Sequence, residues 1–280
     1  MFPIAVITDE ICHDFLASLD RLKDWGVGLA EIRGVNGKNV TQLSDEELLE
    51  ARRALDARGL RACGVASPFY KCDLPAGDGD GCTPEGDALL ESQMRVFARC
   101  LRAAEILGTS FIRVFAFWRK GPTTQPILDV IRRAYQRPLE KAEEAGVTLL
   151  LENEHDCYLS TGAEVASFLE GCSSPALRCV WDPGNTFAYG VQPFPQDYLA
   201  AKPVTSHIHL KDAVRDEGGH PRWVAVGDGD VGYASLFAAL KEDRYGGILS
   251  LETHFSIGGD TEASTRACLE GVRRLLGSLS

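Results

Sequence analysis

The sequence lacks the long apolar segments and the basic runs that mark membrane proteins and nucleic-acid-binding proteins. No apolar stretch approaches the roughly 18 residues that indicate a membrane span, and no run of Lys and Arg exceeds two residues. With 29 basic and 40 acidic residues, the formal net charge is −11. This charge opposes binding to nucleic acid or to an anionic membrane, so we expect neither as a partner.

The sequence also lacks a C-x-x-C pair, although it contains nine cysteines. An odd number of cysteines without metal-site spacing predicts reduced thiols that are mostly buried. The first ten residues contain no Lys or Arg and therefore no basic segment of the kind that opens a secretory signal peptide. We expect the protein to be cytoplasmic.

The length and the alternation of patterns predict the fold. At 280 residues the chain suits one (β/α)₈ barrel, for which about 250 residues is typical. Short apolar strand patterns alternate with helix patterns eight times, and no linker divides them. We predict an α/β fold, a single (β/α)₈ TIM barrel formed by one domain over residues 1–280. A doubly wound open sheet is the alternative, but no G-x-G-x-x-G motif follows the first strand.

The sequence also predicts the behaviour of two segments, a helix that contains a proline and a long glycine-rich loop. Pro138 interrupts the helix predicted over 127–145, and a proline inside a helix removes a hydrogen bond and clashes with the preceding turn. We therefore expect that helix to be kinked or split. The glycine-rich loop 214–231 is expected to be a mobile lid, with Trp223 as its apolar cover.

Four predicted strands end on a residue type that binds metals. Glu152, Asp182, His209 and Glu252 are separated by 30, 27 and 43 residues. A strand and its helix occupy about 30 residues, so the four would lie on successive strands at the C-terminal mouth of the barrel, where such enzymes have their active sites. A lone carboxylate there is commonly a helix N-cap. Four suitable residues in register favour an open site for one divalent cation.

The residue types suggest the chemistry of that site. Three carboxylates and one imidazole suit Mn²⁺, Mg²⁺ or Co²⁺, with Zn²⁺ less favoured. The metal can bind adjacent hydroxyl and carbonyl oxygens and stabilise an enediolate. Glu152 and Glu252 are the predicted catalytic residues: one removes a proton and the other returns it on the opposite face, which inverts a centre. If one glutamate moves a proton between neighbouring carbons, the reaction is an isomerisation. If hydroxide is lost after the first proton removal, the reaction is a dehydration.

Further polar residues near the strand ends are candidates for substrate binding. Lys211 lies two positions after His209, faces the same side of the strand and can reach the mouth. His207 is expected to lie buried one layer below the metal. Four others end predicted strands and are each expected either to contact substrate or to support the ligands: Glu31, Arg33, His155 and His254. Arg113 is expected to be part of the buried structure.

Around these residues the sequence resembles the xylose-isomerase-like TIM barrels, which include sugar isomerases, ketose 3-epimerases, inosose dehydratases and endonuclease IV. The resemblance covers nearly the whole chain. It implies that Glu152, Asp182, His209 and Glu252 hold one metal, as in the ketose 3-epimerase branch, with the two glutamates as the acid/base pair. It also implies a sugar contact by Arg215. The strings that carry it are Leu151-Glu-Asn153, Trp181-Asp-Pro-Gly-Asn185, His207-Ile-His-Leu-Lys-Asp212 and Leu251-Glu-Thr-His254.

Two positions depart from the ketose 3-epimerase pattern. Asn185 stands where that branch has a substrate-contacting histidine, and Tyr158 stands where it has a second glutamate. The departures concern the substrate and leave the barrel and the metal site unaffected. We include Asn185 among the candidate substrate-binding residues.

These observations predict a divalent-metal-dependent isomerase or epimerase of a small sugar or polyol-derived carbonyl compound, acting through a metal-stabilised enediolate. The alternative is a metal-dependent dehydratase of inosose or dehydroshikimate type. An endonuclease IV-like phosphodiesterase needs a multinuclear zinc site rich in histidine. It is disfavoured because the chain has only six histidines and its acidic charge opposes DNA binding. A non-catalytic sugar-binding module is disfavoured because all four ligands are of competent type. The expected partner is a small carbohydrate, and a homo-oligomer stays open.

Overall fold

Eight parallel strands close into a barrel in the computed structural model, which describes residues 2–75, 77–78 and 81–279. Each strand pairs with the next, and the last pairs with the first. This closure confirms the predicted single (β/α)₈ TIM barrel and excludes the doubly wound sheet. Residues 1, 76, 79, 80 and 280 of the predicted domain lie outside the described residues. In chain order, the barrel strands β1 to β8 are Ile4–Ile7, Leu29–Ile32, Arg61–Ala66, Phe111–Val114, Thr148–Glu152, Leu177–Trp181, Thr205–Leu210 and Ile248–Leu251.

The helices follow the strands and surround the barrel. Ser44 and Thr161 open two of them as capping boxes, in which Glu47 and Glu164 return the hydrogen bond. Within the described ranges, no helix is both long and apolar enough to cross a membrane. In chain order, the helices α1 to α9 that the structure describes are Phe15–Asp24, Asp45–Asp56, Pro84–Leu107, Gln125–Ala145, Gly162–Glu170, Pro183–Tyr189, Tyr198–Ala201, Tyr233–Glu242 and Thr261–Gly277.

Pro138 lies inside α4 without dividing it. The helix is continuous from Gln125 to Ala145, so the predicted split at Pro138 is wrong, and the alternative of a kink stays a prediction. Proline has no N–H to donate to the carbonyl four residues earlier, which here belongs to Ala134. The hydroxyl of Tyr70 donates to that carbonyl instead, at 2.6 Å. A side chain from outside the helix thus replaces the missing backbone hydrogen bond.

Side chains along β5 alternate between the apolar layer outside the barrel and the barrel interior. Leu149 and Leu151 of β5 are fully buried in the apolar layer. The alternation of side chains along a strand turns Glu152 to the other face, toward the barrel axis. Glu31 of β2 and His209 of β7 meet across the barrel at 3.1 Å, which places both inside it. The interior near the mouth is therefore lined by charged side chains.

A β-hairpin follows β7 and lies near the mouth. Its strands, Asp212–Arg215 and Pro221–Val224, pair antiparallel. The base of the hairpin is fixed by Asp212, whose two carboxylate oxygens accept from the backbone N–H groups of Ala213, Gly227, Gly229 and Val231 at 2.8 to 3.3 Å. A Cβ at Gly229 would lie 2.2 Å from Asp212 Oδ1, so glycine permits this close approach. The predicted lid is thus fixed at its base, and the mobility of its tip stays a prediction.

We expect Asp212→Ala to destabilise the protein by about 3 kcal/mol or more, because it removes a buried acceptor shared by several backbone donors. Hydrogen exchange at Gly227, Gly229 and Val231 should accelerate. Asp216→Ala is the matched control: Asp216 accepts from two backbone N–H groups at the exposed hairpin tip, and its loss should cost less than about 1 kcal/mol. Chemical denaturation and exchange mass spectrometry measure both. Equal stability of the two variants would contradict the anchoring role of Asp212.

Candidate active site at the mouth of the barrel

Glu152, Asp182, His209 and Glu252 meet at the C-terminal ends of four neighbouring strands. One ligand atom from each lies within 4.8 Å of the others. All four residues are buried, with exposed fractions from 0% to 5%. The structure therefore brings together the four residues of the predicted metal site, which we call the four-residue cluster.

Asp182 uses its two oxygens for different purposes. Oδ1 accepts from the backbone N–H of Asn185 at 2.9 Å and caps the start of α6. Oδ2 lies 2.8 Å from Lys211 Nζ and is buried without a hydrogen bond from any described residue, so it is the oxygen left for the cluster. The side chain of Asn153 bonds to both the N–H and the carbonyl of Asp182, at 2.7 and 2.8 Å. Asp182 is thus a helix cap and a cluster residue at once, and its backbone is held in place from β5.

Two carboxylates lie on opposite sides of the His209 ring. Nδ1 is 3.3 Å from Glu152 Oε1, and Nε2 is 3.1 and 3.2 Å from the two oxygens of Glu31. His207 Nε2 also lies 3.2 Å from Glu31. Burial opposes the charged imidazolium, but Glu31 and Glu152 raise the pKa of His209 well above its ordinary value. Glu31, which is 2% exposed, therefore lies beneath the cluster and contacts its histidine.

Arg113 lies between the two glutamates of the cluster. Its Nη1 is 3.3 Å from Glu152 Oε2 and 3.3 Å from Glu252 Oε1. The side chain is 7% exposed, and its guanidinium lies 4.8 Å from the centroid of the Phe115 ring. Sequence reasoning assigned Arg113 to buried structure; the signal for a site residue was a lone charge within the apolar strand Phe111–Val114.

Lys211 reaches into the cluster. Its Nζ lies 2.7 Å from Glu252 Oε2 and 2.8 Å from Asp182 Oδ2, and its side chain is 2% exposed. Burial opposes the charge on the ammonium, but Asp182 and Glu252 hold the pKa of Lys211 well above its usual range. Burial also disfavours ionised Glu252, but Lys211 and His209 hold its pKa well below the ordinary value. Burial raises the pKa of Asp182 to about 6, against the effect of Lys211.

His155 and Asn185 adjoin Glu152. The amide of Asn185 donates to Glu152 Oε1 at 3.2 Å, and its carbonyl oxygen lies 2.9 Å from His155 Nδ1. The same nitrogen of His155 lies 2.8 Å from Glu154. The hydrogen bond to Glu154 raises the pKa of His155. Two predicted substrate-binding residues are thus in place beside one of the cluster glutamates.

His254 adjoins the other cluster glutamate, with Nε2 3.8 Å from Glu252 Oε2. Burial lowers its pKa to about 4, helped by Lys211. The Trp223 ring packs edge-on to His254 at 5.0 Å. Arg215 lies apart from the cluster: it donates to the carbonyls of Phe187 and Gly219.

Two further charged residues lie at the mouth: Arg33, which is a candidate predicted from the sequence, and Glu10, which is not. Arg33 lies 2.6 Å from Glu10 and 3.6 Å from Glu252. Burial raises the pKa of Glu10 to about 7, although Arg33 opposes this. Glu10 follows β1 in a short 3₁₀ turn, Thr8–Glu10, and only its position near a strand end could have indicated it.

A closed parallel barrel with carboxylates and histidine at its mouth defines the class of (β/α)₈ barrels with a candidate metal centre. The sequence matches the family described as xylose isomerase-like TIM barrel over residues 19–275. The chain belongs to this family.

Several known proteins are similar to this chain. L-ribulose 3-epimerase from Methylomonas sp. (strain DH-1) is 25% identical over 190 residues, which cover 66% of this chain and 62% of that protein. This match therefore spans less than two thirds of the relative's length. A crystal structure of D-allulose 3-epimerase from Methylomonas sp. in complex with D-allulose has 19% identity and a TM-score of 0.74, covering 98% of this chain and 96% of that one. The IOLI protein, solved with a zinc atom, has 14% identity and a TM-score of 0.79 over 100% and 99%.

Proposed function

We propose that this protein is a divalent-metal-dependent epimerase or isomerase of a small sugar or polyol-derived carbonyl compound. The observation that carries the proposal is the convergence of three carboxylates and one histidine within 4.8 Å at the mouth of the barrel. The relatives named as ketose 3-epimerases support the same class of reaction. Both glutamates needed for proton transfer are already part of the cluster.

One divalent cation fits the four-residue cluster, and its donors would be Glu152, Asp182, His209 and Glu252. Glu152 Oε2 is buried and lies 3.3 Å from Arg113 Nη1, but it accepts no hydrogen bond from any residue that the structure describes, which leaves this oxygen able to bind a cation. The oxygen-rich donor set favours Mn²⁺, Mg²⁺ or Co²⁺, although the similarly folded IOLI protein was solved with zinc. When bound, the ion would act as a Lewis acid toward substrate oxygens.

Proton transfer is the task of the two glutamates. Glu152 and Glu252 end different strands, and Arg113 Nη1 separates them by contacting each at 3.3 Å. We propose that one glutamate, as a carboxylate, removes the proton next to the substrate carbonyl, and that the other, as a carboxylic acid, delivers its proton to the opposite face, which inverts the centre. If a single glutamate performs both steps on neighbouring carbons, the result is isomerisation.

The residues around the glutamates would bind the sugar. Asn185 and His155 lie on the Glu152 side, and Lys211 and His254 on the Glu252 side. A contact by Arg215 would require the hairpin to move toward the mouth, since its guanidinium is bonded elsewhere. Glu31 would act on substrate only through His209.

The test is a screen of small ketoses in D₂O, including L-ribulose and D-allulose, followed by NMR with and without a metal chelator. We expect deuterium to enter the product at one carbon, and turnover to stop on chelation and return with Mn²⁺. Conversion without deuterium incorporation would contradict proton transfer. Conversion unaffected by thorough metal removal would contradict the metal dependence.

A metal-dependent dehydratase is the second candidate. The observation that favours it is Asn185, which bonds to Glu152 and His155 at the position where the ketose 3-epimerase pattern has a substrate-contacting histidine. Dehydration begins with the same proton removal. The NMR screen, extended to inosose and dehydroshikimate-like acids, distinguishes the two because a dehydrated product has lost a hydroxyl group.

A further inference from the structure

Hydrogen bonds hold the backbone of Lys211 in place, and its long side chain carries the positive charge into the cluster. The Tyr233 hydroxyl lies 3.1 Å from the Lys211 backbone nitrogen and donates to its carbonyl at 2.9 Å. A Cβ at Gly184 would lie 2.5 Å from Lys211 Cγ, so the glycine leaves room for the stem. The movable part of Lys211 is therefore the outer end of its side chain.

The ammonium of Lys211 and a bound cation would share the same oxygens. Nζ lies 2.7 Å from Glu252 Oε2 and 2.8 Å from Asp182 Oδ2. A cation bound to these oxygens at about 2.0–2.2 Å would lie within about 5 Å of the ammonium. At such a separation two positive charges repel strongly in a buried site. Although Asp182 Oδ2 is close to Lys211, it accepts no hydrogen bond from a residue in the described part of the chain.

Groups outside the cluster already attract the ammonium. The centroid of the Trp223 ring lies 5.7 Å from Nζ, within the range of a cation–π contact. Glu154, which already pairs with Lys71 at 2.6 Å, also attracts Lys211 electrostatically. Rotation of the Lys211 stem toward these two residues would move the charge out of the cluster while it keeps attractive neighbours.

We propose that Lys211 is the internal counter-ion of the cluster and that a divalent cation displaces its ammonium from Asp182 and Glu252 toward Trp223. The inference rests on the proposed metal site. It assigns Lys211 two positions, one that neutralises the carboxylates and one at the mouth beside the substrate-binding residues. Lys211 therefore weakens cation binding.

The test compares the affinity for Mn²⁺ of the wild-type protein and Lys211→Met, which keeps the stem and removes the charge. We expect the variant to bind Mn²⁺ at least about tenfold more tightly in calorimetry. Lys202→Met is the matched control, since Lys202 pairs with Asp243 away from the cluster, and it should stay within about twofold. If Lys211→Met does not fold, Lys211→Gln takes its place.

A second measurement follows the displaced ammonium. Titration with Zn²⁺, which is diamagnetic, should change the tryptophan emission of the wild-type protein. The change should disappear in both Lys211→Met and Trp223→Phe. A Zn²⁺-dependent emission change that survives in Lys211→Met would overturn the proposed movement.

The outcomes separate the inference from the proposed function. If the Lys211 variant binds Mn²⁺ no more tightly than the wild-type protein, the counter-ion role is overturned and the metal site stands. If the wild-type protein and both variants bind no divalent cation, the metal site itself is overturned, and the inference with it.

Discussion

Glu252→Gln is expected to lower turnover by about 10² or more, the usual scale for the loss of a general acid or base. Glutamine keeps the side-chain volume and one oxygen that can bind a cation, but it cannot accept the substrate proton. Glu252 is buried within the cluster, where Lys211 at 2.7 Å favours its ionised form. The metal content of the variant, measured by elemental analysis, should therefore fall only modestly while kcat collapses.

The control for this experiment is Glu164→Gln, the same chemical change in the capping box of α5. It should retain wild-type turnover. A Glu252→Gln protein with full metal and near-normal kcat would show that the carboxylate does not transfer the proton, and the acid/base assignment would be abandoned.

Isotope exchange refines the same prediction. If the reaction is an epimerisation, the variant that keeps the base facing the substrate proton should still exchange that proton with D₂O without inverting the centre, and the two epimers should require different variants. If a single glutamate performs an isomerisation, the same variant should lose exchange with both substrate and product.

The sequence was sufficient to predict the barrel and the four-residue cluster, because both depend on local patterns. Apolar strands that end on Glu152, Asp182, His209 and Glu252 define a period along the chain. The topology of a parallel barrel converts this period into spatial proximity. The same pattern placed Lys211 on the side of the strand that carries His209.

Contacts across the barrel could not be predicted in the same way. Glu31 and His209 are 178 residues apart in sequence, and alternation along a strand indicates which face a residue occupies but not which residue it meets. Arg113 presented the same difficulty, since a buried arginine in β4 is consistent with several partners. Asp182 showed a further limit: the sequence posed helix cap and metal ligand as alternatives, whereas its two oxygens allow both.

The second large effect is expected from Arg113→Met in the metal-free protein. This substitution removes the guanidinium that lies 3.3 Å from both Glu152 and Glu252. The two buried carboxylates then lose one of their positively charged neighbours. Breaking a buried ion pair by removal of one partner destabilises a protein by about 3–5 kcal/mol. For a chain of this size that corresponds to a fall in Tm of roughly 10 °C.

The matched control is Arg266→Met, which breaks a 2.9 Å pair with Glu270 on the surface of α9, where the arginine side chain is 64% exposed. Its effect should be below about 1 kcal/mol. Scanning calorimetry with chelator and with Mn²⁺ gives a further distinction. A bound cation would take over part of the neutralisation, so the deficit of Arg113→Met should shrink when Mn²⁺ is added, whereas that of Arg266→Met should not change. If Arg113→Met is as stable as the wild-type protein without metal, the glutamates are neutralised by other groups, and the position of Arg113 between them carries no energetic consequence.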